Sequence, residues 1–374
     1  TYAKGSDKGK FLKLYGGYSA DFSERDVVKH VTKIQPGKAS ASTIQGALMH
    51  ITARRPTGYI GPQGEVVVDG ITFDFGEVSM YCSPDIYDGR TGTPNEGVST
   101  GRLLEPGAAA VGESIGSLQS DIYALHLDVE GEVKIRNCVF VNCRDYGIQG
   151  ILYQGRMEIC NNLFVACRYS ACQIQGNSTT AEKNTLDFHH NTVLFTWTRT
   201  KEMADMGQGF SFRNGIRNIN VYNNIFGFNT RCGVERTIYD TDSKAEAQKQ
   251  FNLWGNYFLA NRCDLEVTNS QSKSLNLSAD RISECDDHTL GPKRELNMEM
   301  PDSRSFIEAV DQPYVKGFMS AKIVSSSKYA YLVQPSVDNT RISMYCNKYP
   351  WEKVKALFGR VNGYGAQLPD NRKW

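Results

Sequence analysis

VKIRNCVFVNC (133–143), MEICNNLFVAC (157–167), LDFHHNTVLFTW (186–197), INVYNNIFGFN (219–229) and NLWGNYFLAN (252–261) are five versions of one phrase. Each is an alternating run, then Asn (Gly255 in the last), a spacer and two apolar residues. Asn137, Asn161, Asn191 and Asn223 are separated by 24, 30 and 32 residues. Self-similarity at such a period marks a stacked-repeat architecture. Within each unit, β-branched and aromatic residues alternate with polar ones, which is the period of a strand and not of a helix. The expected fold is all-β: a right-handed parallel β-helix, or solenoid, with long loop insertions and a short C-terminal helix.

One such unit cannot bury its inward face alone, whereas stacked units bury a continuous column. Two inward rows are expected. Val139, Leu163, Val193, Ile225 and Tyr257 form the first, and Phe140, Phe164, Leu194, Phe226 and Phe258 the next. Asn137, Asn161, Asn191 and Asn223 are expected at a bend, stacked into an asparagine ladder, because Asn tolerates unusual backbone angles and its amide bonds its stacked copies.

The 374 residues are read as a single domain, since solenoids grow by repetition. Residues 1–60 form an N-terminal cap and first coil, 61–268 the central coils with an insertion at 77–123, and 269–374 an irregular region with a capping helix. GEVVVDGITFDFG (64–76) matches the repeated phrase, and PWEKVKALFG (350–359) reads as a short helix opened by Pro350 and ended by Gly359. The insertion is too long for an ordinary connection.

Forty-two basic and 41 acidic side chains leave a net charge of +1, and no basic block suggests a nucleic-acid partner. No apolar run reaches membrane-spanning length. The chain has no initiator Met and no charged-plus-apolar leader. With its Gly, Asn and Tyr content, this reads as a secreted or periplasmic protein whose export signal is absent from the sequence. The ten cysteines show no CxxC metal spacing and read as buried small hydrophobes; a Cys143–Cys167 disulfide stays open.

Comparison of GIQGI (147–151), CQIQG (172–176), FSFRNG (210–215) and VERTI (234–238) gives a third strand per coil. Its outward positions, Gln149, Gln173, Gln175, Ser211, Arg213 and Glu235, stack into a polar stripe, and Arg236 reaches the same face from a bend. An ordinary solvated sheet face accounts for such a stripe equally well. Amides and guanidinium groups also suit the hydroxyls and carboxylates of a polysaccharide. The insertion WTRTKEMADMGQG (197–209) adds Arg199, Lys201, Glu202 and Asp205 on a loop beside Arg213. His189 and His190 lie at the Asn191 bend, where a satisfied structural role competes with substrate contact. Tyr146 and Tyr169 flank the stripe as sugar platforms or as rim packing.

FSFRNGIRNINVYNNIFGFN (210–229) resembles the coil bearing the catalytic arginine in β-helix polysaccharide lyases of the chondroitinase B and alginate lyase type. The resemblance covers the central coils and places Arg213 at the arginine position. In that family the base is a lysine on the preceding third strand; here that strand reads CQIQGN, so Lys201 would have to substitute. The resemblance implies β-elimination on a uronic-acid polysaccharide, alginate being the first guess. Arg213 and Arg236 neutralise the carboxylate, Lys201 takes the C5 proton, and a tyrosine such as Tyr146 serves as acid. Gln149, Gln173, Gln175, Arg199, Tyr169, Glu235, His189 and His190 are the expected substrate contacts. Calcium is the one cofactor entertained, with oxygen ligands from the 76–123 insertion. A β-helix glycoside hydrolase is the alternative, drawing on Asp187, Asp205, Glu235 and Asp240, although no outward carboxylate pair stands out. A non-catalytic carbohydrate-binding solenoid is the third reading.

Overall fold

The repeated phrases form short parallel strands, each in register with its counterpart in the next repeat. The computed structural model describes residues 11–36, 46–55, 64–75, 87–88, 93–94, 122–143, 145–167, 169–196, 207–213, 215–236, 250–268, 274–284, 295–312, 314–315 and 349–372. Three faces recur. Face I runs from Phe11–Tyr15 through Glu65–Asp69, the second halves of the long strands Ile122–Arg136 and Tyr146–Cys160, Asn184–His189 and Asn218–Tyr222 to Gln250–Trp254. Face II joins Thr32–Ile34, Ile71–Asp74, Val139–Val141, Leu163–Val165, Thr192–Leu194, Ile225–Gly227, Tyr257–Leu259 and Met298–Glu299. Face III joins Gly46–Ala53, the first halves of the two long strands, Ser170–Gly176, Gln208–Phe212, Cys232–Arg236 and Leu265–Thr268. All of these pairings are parallel; Ser274–Leu277 then closes face III antiparallel. The long strands pass from face III to face I through a register shift between Leu152 and Gln154, where an extra residue bends a strand. The fold is therefore all-β with parallel sheets.

One apolar core fills the space between the faces, with Ile135, Ile159, Phe188 and Val221 from face I, Phe140, Phe164 and Phe226 from face II, and Ile148, Phe210 and Val234 from face III. Phe73, Phe140 and Phe164 stack with centroids 5.0 and 4.8 Å apart. The inward row is thus Phe73, Phe140, Phe164, Val193, Phe226 and Phe258, because Val193 pairs with Phe164 and Phe226. This corrects the expected rows. Val139, Leu163 and Ile225 are buried, but in a second apolar cluster outside face II, while Thr192 takes the place assigned to Val193. That cluster is closed by the C-terminal residues Phe306, Ile307, Tyr314, Tyr349, Val354 and Phe358. With both sides of face II covered, its triplets VFV and LFV are apolar throughout and show no alternation.

The asparagine ladder includes Asn191 as expected, but at Asn161 and Asn223 it stands one residue later, at Asn162 and Asn224. Asn137, Asn161, His190, Asn223 and Gly255 take positive φ, from 51° to 62°, and turn the chain from face I to face II. The ladder is built by Asn162, Asn191, Asn224 and Asn256, each next in the chain after one of these bend residues, and by Asn297, which follows Leu296 at φ 64°. In each step a backbone N–H and a side-chain amide donate to the Oδ1 of the following Asn, as from Asn162 to Asn191 (3.0 Å each) and from Asn191 to Asn224 (2.9 and 3.2 Å). The rungs continue through Asn256 to Asn297. Asn161, Asn137 and Asp69 form a shorter stack of their own, at 2.7 and 2.8 Å. Between faces II and III the positive-φ residues include Ala166, Phe195, Phe228 and Ala260. Such a conformation costs a side-chain-bearing residue on the order of 1 kcal/mol or more. At Phe195 and Phe228 it is offset by burial, since the rings stack 4.8 Å apart and Phe195 packs edge-on against Tyr314.

Cys172 lies in the core column of Ile148, Phe210 and Val234, and Cys232 is in register with Gln208. The seven described cysteines are free, so Cys143 and Cys167 are not bridged. The helix expected over 350–359 is shorter, Trp351–Lys355, with Pro350 as its N-cap and Gly359 at φ 66° beyond its end. It packs on the flank of face II. No described helix is long and apolar enough to cross a membrane.

Candidate functional site

Face III carries a column of polar side chains that alternates with the core. The register runs His50, His126, Gln149, Gln173, Ser211, Glu235 and Glu266, one residue per strand. Their chain neighbours Leu125, Ile148, Cys172, Phe210, Val234 and Leu265 lie in the core, so the column points away from it. At about 4.8 Å per strand the column is roughly 29 Å long. It is recessed: Gln173, Ser211 and Glu235 are buried. Gln149 Oε1 and Gln173 Nε2, on adjacent strands, are buried with no hydrogen-bond partner among the described residues. Unsatisfied buried polar atoms are uncommon and call for a partner such as a water, an ion or a ligand.

The two ends of the column differ. At one end the Ser211 hydroxyl donates to Glu235 Oε2 (2.6 Å). Arg231 spans Glu235 (3.0 Å) and Glu266, to which its Nε and Nη2 donate at 2.9 and 2.8 Å. The Glu266 hydrogen bonds hold the guanidinium pKa above its ordinary value. At the other end Asp128 Oδ2 lies 2.9 Å from His50 Nε2 and 3.6 Å from His126 Nε2. These imidazoles, His126 first, hold the Asp128 carboxyl below its usual range against the opposing effect of burial. Tyr123, Tyr146 and Tyr169 form a stack of rings alongside in which the first pair is tilted and the second edge-on, with centroids 5.2 and 4.8 Å apart, and Tyr123 lies 4.8 Å from the His126 ring.

Of the residues singled out from the sequence, Gln149, Gln173, Ser211 and Glu235 share this column, and Tyr146 and Tyr169 belong to the tyrosine stack beside it. Gln175 and Arg213 are half-buried. The Arg213 N–H donates to the Ile174 carbonyl (2.9 Å), which continues the strand register and sets Arg213 beside Gln175. Arg236 differs from expectation: it is in register with Phe212 and Val267, both in the core, and is buried. His189 and His190 sit at the end of face I, away from the Gln column. His189 contacts Glu158 (3.2 Å) and stacks on Tyr222 (4.6 Å). His190 takes φ 51° at the bend, and burial, then the neighbouring His189, lowers its pKa. Arg199, Lys201, Glu202, Asp205 and Asp240 lie outside the described residues, as do most of the 76–123 insertion and the calcium ligands expected from it.

Sequence reasoning passed over His50, His126, Asp128, Tyr123, Arg231 and Glu266. The signal for two of them was present, since LHLDVE (125–130) alternates strictly and puts His126 and Asp128 on its polar side. Among the described residues, three side-chain groups have donor atoms close enough to share a metal ion: His50, His126 and Asp128; Glu158, Cys160 and His189; and Cys232, Cys263 and Glu266. In the last two, burial pushes a thiol up, Cys160 to about 12, which disfavours the thiolate that binds metal.

A scan against protein-family models, a search of curated proteins and a search of solved structures each found no match.

Proposed function

We propose that this chain is a polysaccharide lyase that binds a uronic-acid polymer along face III and cleaves it by β-elimination, with alginate the first substrate to test. The three parallel faces joined by tight bends are taken in this reading as a right-handed parallel β-helix. The observation that carries the proposal is the recessed column on face III, with its two unfilled amides beside Arg213 and the tyrosine stack. A column of evenly spaced donors and acceptors suits a ligand that is itself a repeat. Gln149 and Gln173 bond sugar hydroxyls, and Arg213 faces the carboxylate at the cleaved linkage.

The chemistry asks for three things. A base removes the proton at C5, the electron pair forms the C4–C5 double bond, and the bond to the O4 leaving oxygen breaks as that oxygen gains a proton. Charge builds on the carboxylate as C5 is deprotonated, so a cation fixed beside it lowers the barrier. Arg213 has the planar, two-pronged donor set that a carboxylate needs. Lys201 is the base in this reading and Tyr146 the acid. The hydrolase alternative needs two carboxyl groups free for acid and base work. Glu235 and Glu266 are adjacent on face III, but both are engaged by Arg231.

The test is an ultraviolet absorbance assay over a panel of uronans. A rise in absorbance from the unsaturated product is expected on at least one polymer. New reducing ends without absorbance would convert the reading to a hydrolase, and binding without any product would convert it to a binding module.

A further inference from the structure

We propose that His50, His126 and Asp128 form a binding site for a borderline divalent metal ion of the zinc, nickel or iron(II) class. The site is held by two neighbouring strands and not by loops. His50 pairs with His126 and Thr52 with Asp128 across the parallel strands Gly46–Ala53 and Ile122–Arg136, and His126 and Asp128 share one side by their spacing of two. The donor atoms converge on Asp128 Oδ2, at 2.9 Å from His50 Nε2 and 3.6 Å from His126 Nε2, and all three lie within 4.8 Å of one another. Metal bonds of about 2.1 Å at angles of 90–109° separate two donors by roughly 3.0–3.4 Å, so a small adjustment seats an ion.

The donor set decides the class. Two imidazoles and one carboxylate suit zinc and the later first-row ions, whereas calcium and magnesium favour oxygen alone. Three protein ligands leave coordination positions open, and the half-exposed His50 side chain opens them to solvent. The second nitrogen of His126, Nδ1, is buried without a partner among the described residues. A ligating imidazole normally donates that proton to a carbonyl or carboxylate, and losing such support weakens binding about ten- to hundredfold. Moderate affinity is therefore expected. If the lyase reading of face III also holds, the ion stands at one end of the polar column as a second positive centre for an acidic polymer; metal binding itself does not depend on that reading.

A simple hydrogen-bonded triad is the competing account, and cobalt(II) separates the two. Chelator-stripped protein at neutral pH is titrated with Co2+, followed by visible d–d absorption and calorimetry, then challenged with Zn2+. A single saturable Co2+ site per chain, displaced by Zn2+ and weakened about tenfold or more in His126→Ala and Asp128→Asn, is expected. His189→Ala and Cys232→Ser should leave it unchanged. His50→Ala, at an exposed position, serves as the deciding variant where the others fail to fold, judged by circular dichroism. No saturable Co2+ site in the wild type, or one that persists in the His50 and Asp128 variants, overturns the proposal. The readout is spectral, so a metal site in a protein inert on every uronan overturns the lyase reading alone. Turnover without a metal site overturns this one alone.

Discussion

Asn223 and Asn224 are chemical twins with different work, and replacing each in turn separates a conformational role from a hydrogen-bonding one. Asn224 is fully buried. Its Oδ1 accepts from the Asn191 N–H (2.9 Å) and amide (3.2 Å), and its Nδ2 donates to the Phe188 carbonyl (3.0 Å) and Asn256 Oδ1 (2.9 Å). In Asn224→Ala, Asn256 Oδ1 still receives the Asn224 N–H, and the Asn191 amide still reaches the Ile159 carbonyl. The Asn191 N–H and the Phe188 carbonyl lose these partners. Each such loss costs about 1–3 kcal/mol, so the variant should be roughly 2–6 kcal/mol less stable. Asn223 sits at φ 55°, and among the described residues its side chain makes only a long 3.4 Å hydrogen bond with His190 Nε2. Asn223→Gly relieves the left-handed backbone and should change stability by about 1 kcal/mol or less. Urea unfolding followed by circular dichroism measures both, and hydrogen exchange at the Asn191 amide reports the broken rung directly. Equal losses in the two variants, or a loss below about 1 kcal/mol for Asn224→Ala, would refute the assignment of the ladder.

Three further outcomes are expected. On any uronan the protein cleaves, Arg213→Ala should reduce kcat about a hundred- to a thousandfold with a smaller effect on KM, and Arg213→Lys should recover only part; near-normal turnover in the alanine variant removes Arg213 from the mechanism. Burial raises the Asp264 carboxyl to about 7, against the hydrogen bonds from Asn261 and the Ala279 N–H that favour its charged form. The folded state then holds a proton that the unfolded chain releases near 4, so this stability is complete below about 4, falls as pH rises to 7, and levels off above. Thermal melts of wild type and Asp264→Asn should diverge in slope across that window, and parallel curves would exclude the effect. Cys138 and Cys160, both raised to about 12 chiefly by burial, should resist iodoacetamide at pH 8 in the native protein and react after unfolding. Peptide mapping checks each thiol, and rapid native labelling at either contradicts the burial argument.

The repeat, its strand period and the parallel pairing were legible because they follow from spacing and alternation. GEVVVDGITFDFG pairs with the next repeat as its match to the phrase requires. The slip by one residue has a readable cause. Asn161–Asn162 and Asn223–Asn224 are doublets, and residue type alone lets either member serve as the rung. Yet that first position is His190 in one repeat and Gly255 in another, residues suited to a left-handed bend and useless as rungs. The second position is Asn in the four later repeats, at 162, 191, 224 and 256, and Cys138 in the first. The inward row was misread for another reason. Alternation identifies a face only when its far side meets water, and face II is covered by residues distant in the chain. On face III, Gln149, Gln173 and Glu235 were legible by alternation, whereas His50 lies in an earlier segment and meets His126 only through folding.

The contacts of residues 349–372 give the fold a direction in time. Tyr349 N–H donates to Asn142 Oδ1 (2.7 Å), Gln367 N–H to Asn161 Oδ1 (2.6 Å) and Gly365 N–H to the Asn223 carbonyl (2.8 Å). Arg25, near the start, donates to the Asp370 carbonyl (2.8 Å). As the chain leaves the ribosome, strands pair in order of synthesis and each new repeat has a template waiting. The outer side of face II has none: Val139, Leu163 and Ile225 emerge long before Val354 and Phe358 exist to cover them. A nascent chain stalled or cleaved before residue 349 therefore carries an apolar strip along its flank, the kind of surface that chaperones hold and that aggregation exploits. Removing Tyr349, Val354, Leu357 and Phe358 from the finished protein would uncover the same strip, so this segment is a cover laid last over strands made first.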